Sequence, residues 1–456
     1  MPHRLSRRQL IVTGAAAIAG AHPLLRSLAG AEAPALAAAP APHSPRAGIP
    51  AFYTADPDLA PWSKSPAELE KFLSTEHPLY DLDGWFFFGS LVEPSGRKSA
   101  FLIAVQRIEV SYEGTLVPAF PAVVAYHNPS LGRYLFGGTR DIDFWPWVSV
   151  TQDPWKLTVV DAPWDPPGVM SMELQSGQMG RAGATYALNA AVTDQFGELL
   201  TAKVTLRDRM GAVNEGYGPG SFYPQWITPL QRSRIRSEHG GSVRSYLRDT
   251  GDPMWGQGSY YYSLGLLDVV DFKVDVASLG SPVLSSTGTR GTFWMDYVVE
   301  SYGTTAQSVI AKASWLFFAL QFPSRGMAMM INRRDTGAGR LNIARLYKEG
   351  DATTPNGALR AYAQWDTDKI SIKPMRGTNW TSEYSGQTYP MAYRITLGGG
   401  SRVGNGDLVL RTLRRNQEIV VGDTVKYEGL MTVEGTLGGR PIHGQAWAEL
   451  QPVGHL

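Results

Sequence analysis

The chain has 456 residues, 43% of them hydrophobic and 18% charged, with a net charge of +1. That composition suits a globular protein of two or three domains and argues against extended disorder, a nucleic-acid footprint or an acidic tail. There is no cysteine, which excludes disulfides, thiolate chemistry and cysteine-based zinc or iron–sulfur sites.

The N-terminus has the layout of an export signal. Ser6-Arg7-Arg8-Gln9-Leu10 is followed by Ile11-Val12 and a weakly apolar run from Gly14 to Ala21. An Ala/Pro-rich stretch from Glu32 to Pro42 then offers sites such as Ala35-Leu36-Ala37. This is the twin-arginine pattern, so residues 1–45 are expected to be signal and linker and the mature protein periplasmic or secreted. The apolar run is too short for a membrane span, and no later stretch reaches the roughly 18 apolar residues a span needs.

Helix signals are sparse beyond Pro66 to Ser74, where Ser65 is the expected N-cap and Glu68 stands at the third helical position. Strand signals dominate. Gly84-Trp85-Phe86-Phe87-Phe88-Gly89, Ser99 to Val105 and Ala119 to Tyr126 come first. Tyr186 to Val192 and Leu199 to Leu206 flank a Gly-containing turn and predict a hairpin. Tyr260 to Leu267 and Val269 to Val276 follow, and Thr424 to Val433 with Ile442 to Leu450 predict a closing hairpin. Met327, Met329 and Met330 read as core gap-fillers.

Short strands punctuated by Gly, Pro, Asn and Asp predict an all-β fold of antiparallel barrels with little helix. The small, polar, turn-prone stretch within Asp275 to Arg290 suggests a boundary or, equally, a long inter-strand loop. We therefore expect an N-terminal barrel over 46–280 and a C-terminal barrel over 281–456.

No nucleotide fingerprint, HExxH or GxSxG occurs, and the eight histidines are scattered without metal-ligand spacing. No cofactor or metal is expected. The informative stretch is Gly291-Thr-Phe-Trp-Met-Asp-Tyr-Val-Val-Glu300. Strand interiors are depleted in Asp, and burial of a carboxyl raises its pKa. Asp296 is therefore a candidate general acid, with a structural Asp bonded to its neighbours as the alternative. In Ser259-Tyr-Tyr-Tyr-Ser263, Tyr260 and Tyr262 share one strand face, while Ser259, Tyr261 and Ser263 share the other. Tyr260 and Tyr262 are the expected catalytic partners; plain core packing is the competing account. Asp141-Ile-Asp143-Phe-Trp-Pro-Trp147 reads as a pocket rim carrying Trp145 and Trp147, or as a cap on one barrel end. Trp85, Trp294, Tyr297 and His239 complete the expected substrate-binding set.

Tyr260-Tyr-Tyr-Ser263, then Gly291-x-x-Trp294-x-Asp296, then Trp315-Leu-Phe-Phe-Ala-Leu-Gln321 together resemble the signature of the AttH/carotenoid 1,2-hydratase superfamily. Gly84-Trp85-Phe86-Phe87 and the closing Gly429…Leu450 are similar to that family's ends. The resemblance spans roughly residues 80–452. Relatives include kievitone-hydratase-like proteins and decalin-forming Diels–Alderases. It implies two lipocalin-like barrels in tandem, with a pocket between or within them. This chain departs from the family where His follows the motif Asp, since Tyr297 stands there, and where Trp and Gly commonly follow, since Val299 and Glu300 do.

Three readings follow. The first is a cofactor-independent hydratase or lyase acting on a carbon–carbon double bond of an apolar isoprenoid-like or polyene substrate. Protonation by Asp296 would start it, with Asp141, Asp143, His239 or Glu300 as base. The second is a pericyclase or isomerase that mainly shapes a polyene. The third is a non-catalytic carrier of apolar ligands, which would not need Asp296.

Overall fold

The computed structural model describes residues 65–75, 82–112, 115–119, 122–139, 147–161, 168–216, 260–278, 281–300, 313–336, 339–365, 369–399, 402–421 and 424–451. The N-terminal signal expected over 1–45 lies outside them, as do Asp141, Asp143, Trp145 and His239.

Two large antiparallel sheets, each curled on itself, make up the fold. Among the described residues, the second has 10 strands and the first 14. Its path runs from Tyr134–Thr139 through Ala122–His127, Lys98–Tyr112, Leu82–Val92, Arg290–Glu300, Tyr260–Ser278, Leu199–Asp208, Thr185–Thr193, Gly168–Ser176 and Trp155–Asp161 to Trp147–Gln152. It closes on itself where the Tyr134–Thr139 edge meets the turn after Thr193. There Gln195 N–H donates to Phe136 O at 3.0 Å, and Gly137 bridges Asp194. A side chain at Gly137 would put its Cβ 2.6 Å from Thr193 O, so this close approach requires glycine.

At the centre of the second sheet, Met327–Thr336, Ala313–Phe322, Arg440–Gln451 and Thr424–Leu437 lie side by side. The expected hairpins are both present, as Thr185–Thr193 with Leu199–Asp208 and as Thr424–Leu437 with Arg440–Gln451. The two runs expected after Tyr260 form one 19-residue strand, bent by an irregularity between Leu264 and Leu267.

The boundary differs from expectation. Strands Ser281–Gly288 and Arg290–Glu300 belong to the first sheet, the latter inserted between Leu82–Val92 and Tyr260–Ser278. The chain therefore passes to the second sheet after Glu300, not at 280/281. The strands on either side of Leu279, Tyr260–Ser278 and Ser281–Gly288, pair with each other in that one sheet. Composition cannot separate such a connection from a linker.

Alternation along each strand sorts side chains into three cores. Inside the first barrel lie Trp85, Phe87, Phe293, Met295, Tyr297, Tyr262 and Leu264. Inside the second lie Phe318, Leu320, Met329, Ile331 and Tyr427. The opposite faces of the same strands meet in a third core between the sheets, with Phe88, Tyr261, Trp294, Phe317, Ala319, Met330, Tyr347 and Trp447. Phe88 stacks on Trp447 at 5.3 Å between centroids.

The helix Pro66–Leu73 forms as its sequence dictates. Pro66 begins it, and Ser65 and Glu68 close a reciprocal capping box. Leu69, Phe72 and Leu73 share one face and enter the first barrel's core. Among the described residues, no helix is long and apolar enough to cross a membrane.

Candidate active site between the two sheets

Asp296 lies on the Arg290–Glu300 strand with Phe86 opposite on one side and Ser263 on the other. Strand alternation turns Trp294, Asp296 and Val298 towards the second sheet, while Met295 and Tyr297 point into the first barrel. Asp296 is 5% exposed. Tyr261 donates to Oδ2 at 2.6 Å and Ser263 to Oδ1 at 2.7 Å. The Trp294 indole N–H also donates to Oδ1. These three donors favour the carboxylate, yet burial outweighs them and pushes Asp296 up to about 7, with Glu449 adding to the rise.

A second carboxyl completes the centre. Glu215 lies on the short strand Ala212–Gly216, at the irregularity where pairing slips between Asn214 and Gly216. Such bulges re-aim a side chain. Glu215 is fully buried, and among the described residues neither carboxyl oxygen meets a donor at hydrogen-bond geometry. Burial holds its pKa well above the ordinary carboxyl range, and Asp296 raises it further. From the second sheet, the Arg345 guanidinium donates to the Glu215 backbone carbonyl. Tyr347, on the same face of that strand, is also buried, and its hydroxyl is raised by burial and by Glu215.

The surroundings are aromatic and apolar. Phe317 of the second sheet packs edge-on against Tyr261 at 6.5 Å. Phe86, Val298 and Trp315 are only partly buried and line the less covered side of this core. Among the described residues, no three His, Asp or Glu side chains converge as a metal-ligand set.

The structure thus brings together Asp296 and Trp294 from the expected set and separates others from them. Tyr262 points to the far side of the sheet. Its hydroxyl accepts from Asn356 Nδ2 at 3.2 Å, and its ring meets Phe72 edge-on at 5.7 Å. Tyr297 and Trp85 pack 5.0 Å apart in the same interior. Their polar atoms are taken by the end of the helix and the chain just after it, Trp85 by Leu73 O and Tyr297 by Thr75 O, each at 2.9 Å. These three residues hold the helix against the barrel rather than face Asp296. The physical reason is the two-residue period: a partner of Asp296 on the neighbouring strand must be Tyr261 or Ser263. For Tyr260, Trp147 and Glu300 only the backbone is described.

Sequence reasoning missed Glu215, Arg345 and Glu449. Glu215 sits in Ala-Val-Asn-Glu-Gly, a stretch without the aromatic context that singled out Asp296. The others come from the second sheet, and only the packing of the sheets brings them near.

A scan against protein-family models gives no match, and comparison with curated protein sequences gives none. Solved structures do match. An AttH-assigned protein from Nitrosomonas europaea superposes with a TM-score of 0.53 at 19% identity, covering 85% of this chain and 96% of that one. Kievitone hydratase from Nectria haematococca gives 0.47 at 14% identity over 90% and 96% of the two chains. The protein CghA bound to Sch210972 gives 0.48 at 14% identity over 82% and 89%. The fold is therefore that of the AttH-assigned structure, as the motif resemblance implied.

Proposed function

We propose that this protein adds water to, or removes it from, a carbon–carbon double bond of a small apolar molecule, with Asp296 as the acid and no cofactor. The observation that carries the reading is a buried carboxyl set among aromatic side chains and held by Tyr261, Ser263 and Trp294, where burial pushes it up to about 7. A catalytic acid works best when its pKa lies near the operating pH.

The hydrogen-bond arrangement suits the task. When Asp296 carries a proton on Oδ2, the Tyr261 hydroxyl accepts it and is free to turn its own proton outward, since a phenol both donates and accepts. The Trp294 N–H can only donate, so it stays on Oδ1 and holds the carboxyl in place. Proton transfer to the alkene leaves a carbocation, and the π faces of nearby aromatic rings stabilise positive charge in a dry setting. Water then adds to the cation. Glu215, buried beside this centre, offers its carboxyl oxygens as acceptors for that water. The proton the water sheds returns to Asp296 by way of Ser263, so the pair of carboxyls ends as it began. The substrate class, isoprenoid-like or polyene, and export through the N-terminal signal belong to the same proposal.

The test is incubation of purified protein with isoprenoid and polyene substrates in heavy-oxygen water, read by mass spectrometry. One labelled water gained with wild type, and none with folded Asp296→Asn, is the expected result. Isomerised product without label would replace this reading with a pericyclase or isomerase. Tight binding of a substrate without any product would replace it with a carrier.

A further inference from the structure

Asn332 is a buried amide on the face of the second sheet that meets the first. On the strand Met327–Thr336, Met329 and Ile331 point into the second barrel, while Ala328 and Met330 point into the core between the sheets. The two-residue period puts Asn332 on the inter-sheet side with Ala328 and Met330. Phe317 stands opposite it on one neighbouring strand and Ile343 on the other, both in that same core. Asn332 is 2% exposed, and among the described residues its Nδ2 meets no acceptor.

A buried amide donor without an acceptor loses its bonds to water and gains none in return. Phe317, Met330 and Ile343 around it are apolar, so a leucine of nearly the same size would pack there without that cost. Polar neighbours on the same face are committed. Arg345 donates to the Glu215 backbone carbonyl, Gln321 Nε2 to the Gly265 and Phe293 carbonyls, and Trp315 Nε1 to Glu449 Oε1. The amide also lies next to the proposed chemistry. Phe317, its cross-strand partner, packs edge-on against Tyr261, which donates to Asp296.

We infer that Asn332 is a substrate-binding residue whose Nδ2 donates to an oxygen of the substrate, so that the molecule held between the sheets is oxygenated, with a carbonyl or hydroxyl besides its double bond. A plain hydrocarbon leaves the donor unsatisfied in the complex, whereas an acceptor oxygen offsets its burial. A few placed polar groups in an apolar site fix a ligand's orientation. Here the first sheet supplies the acid and the second the contact that turns the double bond towards it. The inference rests on the inter-sheet site being the place of reaction, but its test reads binding and stability rather than turnover.

The experiment titrates two probes against the full chain by tryptophan fluorescence: geranylacetone, an isoprenoid ketone, and the hydrocarbon in which a methylene replaces its carbonyl. The quantity read is the ratio of ketone to hydrocarbon affinity, in which effects of pocket volume common to both ligands cancel. That ratio should fall about tenfold from wild type to Asn332→Leu, the worth of one buried hydrogen bond, and by a similar factor in Asn332→Ala. Without ligand, Asn332→Leu should raise the melting temperature, because it removes an unsatisfied donor. A ratio unchanged in both variants would overturn the inference. A lower melting temperature for Asn332→Leu would overturn it too, since the amide would then already have a partner in the folded protein. A ketone preference that depends on Asn332, in a protein that hydrates no substrate, would leave the inference standing and remove the proposed function. Hydration by a protein whose ratio ignores Asn332 would do the reverse.

Discussion

Gln321 and Gln445 stand opposite each other on neighbouring strands of the second sheet, and Gln445 Nε2 donates to Gln321 Oε1 at 2.9 Å. Both reach across to the first sheet. Gln321 Nε2 donates to Gly265 O at 2.9 Å and Phe293 O at 2.5 Å, and Gln445 Nε2 donates to Thr292 O at 2.9 Å. Ser90 completes the set by donating to Gln445 Oε1 at 2.7 Å. The pair therefore joins the sheets at the strand that carries Asp296.

Gln321→Leu should loosen that junction. It leaves two buried backbone carbonyls short of a donor and should cost roughly 2–4 kcal/mol. Chemical denaturation checks the value, and a loss below about 0.5 kcal/mol would mean water replaces the amide.

Gly265 allows the sheets to approach. A Cβ there would lie 2.6 Å from Ala328 Cβ and 3.4 Å from the Trp294 ring. Gly265→Ala should destabilise by roughly 1–3 kcal/mol, the usual range for overpacking. The companion substitution Ala328→Gly should recover part of the loss in a double-mutant cycle.

The adjacent tyrosines should separate by effect. Tyr261→Phe removes a donor from Asp296 and should lower kcat by roughly 10²-fold with little change in melting temperature. Tyr262→Phe removes the acceptor for Asn356 and should cost roughly 1–2 kcal/mol of stability while leaving kcat near wild type. Reversal of these two outcomes would place the reacting group inside the first barrel.

Stability should fall as pH rises from about 4 to 7. Asp296, Asp208 and Glu428 are pushed up to about 7 and Asp194 to about 6, in each case chiefly by burial. An acid with a raised folded pKa holds its proton while the unfolded chain loses it, so the unfolded state is favoured progressively up to the folded pKa. His127 opposes this. Burial, helped by Arg414, lowers it to about 4, which makes stability rise with pH between about 4 and its unfolded value of 6.5. These four acids, with Glu215 acting in the same direction, outweigh one histidine and give a net decline. Melting temperatures measured from pH 5 to 7.5 should therefore fall, and Asp296→Asn should flatten the slope. A rising curve would mean these carboxyls ionise on folding.

Much of the fold was legible because hydrophobic period and turn chemistry are local. The capping box at Ser65 and Glu68, both hairpins and the aromatic strand through Asp296 follow from neighbours within a few residues. Asp296 itself was visible because a carboxylate in a Phe-Trp-Met-Asp-Tyr run violates strand propensity, and such violations mark function or strain. The two faces of the Tyr260–Ser263 run were legible as well. Which face meets the acid was not, because that depends on the register between Tyr260–Ser278 and Arg290–Glu300, where Ser263 falls opposite Asp296. Whether Asp275 to Arg290 held a boundary or an inter-strand loop stayed open for a related reason. A polar turn looks alike whether it links two strands of one sheet or two sheets, and only the pairing of Arg290–Glu300 with Leu82–Val92 decides. Glu215 and Arg345 lay beyond sequence reasoning altogether. Glu215 comes near Asp296 because Ala212–Gly216 pairs with Tyr260–Ser278, and Arg345 because the outer faces of the two sheets stack, long-range events that no local pattern encodes.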